Sequence, residues 1–181
     1  MGIMLGAALV LAVPAAGEVT ASSDAGFVSR NVVDVKATPQ EAWSSLIAPG
    51  GWWNGQHTYT GNAANLSIDA RAGGCFCENL PRAKNAPASE PVGSIEHMRV
   101  VYAEPGKVLR LSGGLGPLQS EAVNGTLTIR LKPGEGGTTR IAWEYVVGGY
   151  MRHKPSEIAP LVDQVMGEQL GRLAARLQPR N

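Results

Sequence analysis

An alternating run from Thr138 to Val147 passes through Gly148, Gly149 and Tyr150 into one long amphipathic segment, Ile158 to Leu177. A period of two followed by a period of 3.6 requires a strand with one buried face and then a helix with one buried side. Because most of the chain before this point also reads as strand, the half-apolar elements must cover one another. The expected result is a sheet closed by a single C-terminal helix, with room for a pocket between them.

A length of 181 residues corresponds to about one domain, which at this size buries roughly two-thirds of its unfolded surface. The hydrophobic fraction of 44% and charged fraction of 17% are those of a globular chain, so no disulfide scaffold is needed to hold it. Formal charge is +1, from 16 basic and 15 acidic residues spread along the sequence. No cationic field is available to condense on phosphates, and nucleic acid is not an expected partner.

Ile3 to Val13 is an apolar run followed by Pro14 and the small residues Ala15, Ala16 and Gly17. It has the core and exit of a secretory signal peptide without a basic residue in front, and is too short for the roughly 20 residues of a membrane span. Export is therefore expected, to a secreted or periplasmic location, with residues 1–21 removed by cleavage near Gly17 or Ala21 and no membrane span in the mature form. The alternative is a cytoplasmic protein whose start lies further on. Thr20 to Gly26 reads as a small-residue linker.

The first expected strand is Phe27 to Lys36. Thr38-Pro39-Gln40-Glu41 is a capping box with Pro at the first helical position, and Pro49-Gly50-Gly51 ends that helix after about three turns. A second short helical turn carries Trp52 and Trp53, of which adjacent geometry should leave one exposed. Strands follow at Asn65 to Ala70, Cys75 to Leu80, Ser94 to Tyr102, Val108 to Ser112, Ala122 to Leu131 and Thr138 to Val147. In the last of these Ile141, Trp143, Tyr145 and Val147 are the inward set. Pro160 fits the closing helix only within its first turn.

This order resembles the helix-grip fold of the START-like, birch-pollen-allergen-like (SRPBCC) superfamily. The resemblance is carried by Ala72-Gly73-Gly74-Cys75-Phe76-Cys77-Glu78, His97-Met98-Arg99-Val100-Val101, Gly113-Gly114-Leu115-Gly116-Pro117-Leu118, Val147-Gly148-Gly149-Tyr150 and Val162-Asp163. Within the superfamily these stretches look like the polyketide-cyclase and heat-shock-ATPase-activator-like branch. The resemblance covers Phe27 to Leu177. It implies an α+β fold with about six or seven curved antiparallel strands wrapped around a long C-terminal helix, two short helices after the first strand, and a hydrophobic cavity. The expected division is signal peptide 1–21, linker 22–26, helix-grip domain 27–177 and tail 178–181.

Cys75 and Cys77 lie two apart on a strand, where side chains point the same way with Cα atoms about 6.6 Å apart, a geometry that disfavours an unstrained bond. Both are expected as small packing residues on the face opposite Phe76, the alternatives being a bulge at the pair or metal binding. If Phe76 faces the cavity, so does Glu78, a candidate acid, base or polar anchor. His97 on the next strand is its candidate partner, although the apolar sets Met98, Val100, Tyr102 and Ile95, Val101 leave its facing open. The bland alternative is a rim pair in which Arg71 or Arg99 neutralises Glu78. No metal-ligand spacing or phosphate loop is present, so neither a metal nor a cofactor is expected.

The candidate ligand-binding set is Trp53, Phe76, Glu78, His97, Leu115, Trp143, Tyr145, Val162, Val165 and Met166. It points to an exported binder of a hydrophobic small molecule, either lipid or aromatic metabolite. A cyclase- or hydrolase-type enzyme using Glu78 and His97 as catalytic residues is the alternative, and a protein-interaction module with an apolar patch around Trp52 or Leu115 is a third reading. Oligomeric state is not legible.

Overall fold

The computed structural model describes residues 16–178. The capping box forms as its residue types dictate: Thr38 Oγ1 accepts from the Glu41 amide at 3.3 Å, and the Glu41 carboxylate accepts from the Thr38 amide at 2.8 Å. Pro39 is the first residue of helix α1 (Pro39–Leu46), which buries Ala42, Trp43 and Leu46. The expected second helix is only a 3-10 turn, Pro49–Gly51.

Among the described residues eight strands form one antiparallel sheet, rather than six or seven. They are β1 (Ala16–Ser23), β2 (Gly26–Val35), β3 (Leu66–Ile68), β4 (Cys75–Asn79), β5 (Ser94–Glu104), β6 (Val108–Ser112), β7 (Ala122–Pro133) and β8 (Thr139–Tyr150). Their spatial order is β1-β2-β8-β7-β6-β5-β4-β3. The additional strand is β1, whose residues 16–21 fall in the segment expected as signal peptide and 22–23 in the expected linker; it pairs with β2 through a tight turn closed by Gly26 at a φ of 147°. The sheet thus begins before residue 27. The apolar run expected as a signal peptide, residues 3–13, lies outside the described residues, as does 179–181 of the tail.

Helix α2 (Pro155–Arg176) closes the fold and is about 33 Å long. Pro160 sits in its second turn, not its first, leaving the Ser156 carbonyl without an intrahelical donor; both residues are exposed, so water can take the place of that bond. The apolar side of α2 divides along its length. Leu170, Leu173 and Ala174 are buried in the core, whereas Val162 and Val165 are only partly covered.

Where α2 crosses β2 the contact is polar. Phe27, Ser29, Asn31, Val33 and Val35 are the buried alternate residues of β2. Ser29 Oγ donates to Asp163 Oδ1 at 2.7 Å, and Asn31 Nδ2 donates to the same oxygen at 3.1 Å. A side chain at Gly17 or Gly167 would collide with the Asn31 amide oxygen, so glycine at both positions lets β1 and α2 close over this cluster.

Asp163→Ala leaves the buried Ser29 and Asn31 donors without their shared acceptor, which costs about 1–3 kcal/mol. The midpoint of thermal unfolding should fall by roughly 3–10 °C. An unchanged midpoint would show that the link between helix and sheet contributes nothing.

Candidate ligand-binding site

Between the first half of α2 and the β4–β5 end of the sheet lies a cavity of about 510 Å³. Its walls come from four parts of the chain. Leu66, Phe76 and His97 form the sheet side, and Ile158, Leu161, Val162, Val165 and Met166 the helix side. Residues 53–59 close one flank, and Leu115, Gly116, Pro117 and Ser120 overhang another. This size and mostly apolar lining with a few fixed polar groups are those of a small-molecule site.

A bulge places the histidine. Phe76 pairs with Met98 but Cys77 pairs with Glu96, so His97 is the extra residue on β5. His97 and its neighbour Met98 are consequently both buried, which strict alternation forbids. Val101 is the extra residue of a second bulge, after which Tyr102 turns outward with 44% of its surface exposed. On β4 the Cα atoms of Cys75 and Cys77 are 5.4 Å apart, closer than in a regular strand. The two cysteines are joined in a disulfide, contrary to the expectation from an unbroken strand.

Glu78 is fully buried and meets donors only. Its Oε1 accepts from the Thr60 amide at 2.7 Å, and its Oε2 accepts from the Tyr59 amide at 3.1 Å. His97 Nε2 lies 3.0 Å from Oε2. Neither Arg71 nor Arg99 neutralises it: Arg71 pairs with Asp69, and Arg99 with Glu96. Desolvation pushes the carboxyl upward, but the hydrogen bonds from Thr60, Tyr59 and His97 outweigh it and hold the group below its ordinary range. For His97 desolvation dominates over the attraction of Glu78, so the imidazole titrates below its ordinary value. At neutral pH the pair is a carboxylate and a neutral ring whose Nε2–H donates to it.

The loops around the cavity are fixed by residues behind it. Tyr145 lies under the overhang, its hydroxyl donating to the Gly113 carbonyl at 3.0 Å and accepting from the Leu115 amide at 3.1 Å. Burial pushes this phenol up to about 12, so it keeps the proton it donates. The ring passes so close to Gly125 of β7 that a Cβ there would overlap the Tyr145 hydroxyl. On the other flank α2 grips residues 51–57. Arg172 donates to the Trp52 carbonyl at 2.8 Å, Gln169 Oε1 accepts from the Asn54 amide at 2.8 Å, and Glu168 lies 3.1 Å from His57.

Of the expected ligand-binding residues, Trp53, Phe76, His97, Leu115, Val162, Val165 and Met166 line the cavity. Glu78 does not; it stands behind His97. Trp143 does not, because Trp52 packs edge-on against it at 5.9 Å between ring centres. Nor does Tyr145, which the overhanging loop covers. Trp52 and Trp53 are both buried, instead of one being exposed, since each indole N–H finds a carbonyl: Ser45 for Trp52 and His57 for Trp53. The ligand-binding set drawn from the sequence lacked His57 and Tyr59, which stand in and just after a 3-10 turn with no periodic signal, and Leu66, which was read as a strand residue but not as part of a cavity wall. Leu161 of the helix side is at the rim with 59% exposure.

The fold is shared with solved structures. Protein CV1439 from Chromobacterium violaceum superposes with a TM-score of 0.54 and 19% identity, over 84% of this chain and 99% of that one. CalU16 from Micromonospora echinospora does so at 0.52 and 17%, over 92% and 85%. The Aha1 dimer structure from Colwellia psychrerythraea does so at 0.53 and 13%, over 82% and 94%. No protein-family model and no curated protein matches the chain. The likeness is one of fold alone.

Both members of the buried pair make the protein sensitive to acid. His97 titrates in the folded protein below its ordinary 6.5, so the stability from its neutral burial is complete above that pH and is lost as pH falls through the folded value. Glu78, below its ordinary 4.5, contributes stability above that pH which is lost in a second, more acidic stage. Urea midpoints should therefore fall between pH about 8 and about 5.5, and fall again by about 4. His97→Gln should flatten the first decline; an unaltered decline would rule out His97 as its source.

Proposed function

We propose that this protein is an exported binder of a hydrophobic small molecule, held between the first half of α2 and the β4–β5 end of the sheet. One observation carries the reading: a cavity of about 510 Å³ whose walls are mainly apolar side chains. The half-covered Val162 and Val165 add to it, since apolar residues on a closing helix are otherwise expected in a filled core. Export is favoured by the Cys75–Cys77 disulfide, a bond that persists in oxidising compartments and is rare in the cytosol. Among START-like proteins the reading places this chain nearer the cyclase-like, cavity-bearing members than the interaction modules. Trp52, proposed for an exposed patch, is buried against Trp143, and Leu115 is turned to the cavity.

A second reading, catalysis, draws on the Glu78–His97 pair. With Nε2–H held by the carboxylate, Nδ1 of His97 is a proton acceptor on a ring that lines the cavity, and Glu78 would stabilise the imidazolium formed. In that case Glu78→Gln abolishes turnover while ligand affinity stays within about threefold.

Binding is tested with the protein isolated from its own host by native mass spectrometry, which should reveal a retained small molecule. In parallel, a neutral phenylnaphthylamine probe should fluoresce in the wild-type cavity. Val165→Trp, which fills the helix side, should weaken probe binding at least about tenfold with the fold retained. A protein that arrives empty and ignores lipid and aromatic probes is not a binder of this kind.

A further inference from the structure

We propose that the ligand is a neutral molecule with an apolar body and one hydroxyl or phenol group, whose O–H donates to Nδ1 of His97. The inference rests on the reading of the cavity as a ligand site and specifies the chemistry that site selects.

The tautomer of His97 is set from behind. Two backbone amides, those of Tyr59 and Thr60, donate to the Glu78 carboxyl group, and an amide has no lone pair to offer in return. The carboxylate therefore also accepts from Nε2–H of His97, 3.0 Å away. A neutral imidazole with its proton on Nε2 has an acceptor lone pair on Nδ1. Among the described residues Nδ1 has no hydrogen-bond partner, and the ring that carries it lines the cavity.

The other polar side chains of the walls are engaged with the protein, except for the exposed Gln56, whose side chain makes no hydrogen bond among the described residues. Thr58 Oγ1 donates to the Gly55 carbonyl at 2.8 Å, the Tyr59 hydroxyl to Gln119 Oε1 at 2.8 Å, and Ser120 Oγ to the Pro117 carbonyl at 3.2 Å. His57 is paired with Glu168. The buried group that remains for a ligand is an acceptor, and a ligand that leaves it unmet loses a hydrogen bond Nδ1 would otherwise make to water.

Charge sharpens the choice. Among the described residues no Lys or Arg lines the cavity. Directly behind His97 is the uncompensated negative charge of buried Glu78, which repels an anion in surroundings where screening is weak. A fatty-acid or benzoate carboxylate has no proton for Nδ1 and no cation to meet. A hydroxyl supplies the proton without the charge.

Three probes of matched length separate these chemistries: para-octylphenol, its methyl ether, and para-octylbenzoate. Each is titrated at pH about 7.5 into the full-length protein while the fluorescence of Trp53 and its neighbours is followed. The phenol should bind about tenfold tighter than the ether, and the benzoate more weakly than the ether. In His97→Phe, checked for retained fold by circular dichroism, the phenol should fall to the affinity of the ether. In nitrogen NMR of the wild-type protein the unprotonated Nδ1 resonance should move on addition of the phenol and not of the ether.

Equal binding of phenol and ether, or tightest binding of the benzoate, overturns the proposal and leaves the cavity reading standing. A phenol preference that survives in His97→Phe overturns it also, by placing the acceptor elsewhere. If none of the three binds, the cavity reading itself fails, and this inference with it.

Discussion

Glu78 carries a negative charge into the interior with no cation beside it, and three segments converge to make that tolerable. The turn at Tyr59 and Thr60 contributes two amides, β5 contributes an imidazole N–H, and β4 supplies the carboxylate itself. Donors fixed by the backbone cost little to organise and cannot swing away, so an anion they satisfy is held as firmly as one in an ion pair. The consequence reaches beyond the contact. The loop carrying Tyr59 is drawn against the sheet, where it forms one flank of the cavity, and the histidine is fixed in orientation and tautomer. The cavity keeps its shape because the charge behind its wall must remain satisfied.

The helix that closes the fold has two tasks along its length. Its second half fills the core with Leu170, Leu173 and Ala174, and through Gln169 and Arg172 it holds the tryptophan-bearing loop. Its first half covers space. Asp163 fixes this half to the buried polar residues of β2 on one side, leaving Val162, Val165 and Met166 toward the opening on the other. A hydrogen-bonded attachment fixes position by direction as well as by area. A helix secured in that way can span a void without collapsing into it.

What the sequence disclosed and what it hid follow from the range of the forces involved. Periodicity is local, so the strand run from β5 to β8, the capping box at Thr38 and the extent of α2 were legible, as was the shared face of Phe76 and Glu78. The facing of His97 was not, because a bulge depends on the partner strand and shifts parity without altering composition. The same shift of register lies beside the two cysteines that a regular strand would have kept apart. β1 was hidden because its small and polar residues have the composition of a linker; pairing with β2 makes it a strand. Trp143 and Tyr145 were correctly read as inward, yet inward proved different from cavity-facing once Trp52 and the loop after β6 had covered them. The residues between Trp53 and Leu66 were the least legible, since 3-10 turns held by Asn54, Thr60 and Asn62 side chains leave no repeating pattern.

The close passage of Tyr145 over Gly125 ties two distant positions into one unit of variation. A larger residue at 125 cannot be accommodated while the ring crosses it, and a smaller ring partner at 145 would release the loop that the hydroxyl holds. Descendants of this chain should therefore keep the glycine and the tyrosine together or lose them together. Where they are lost together, the overhang of the cavity must be anchored by some other device, and the shape of the space beneath it will have changed.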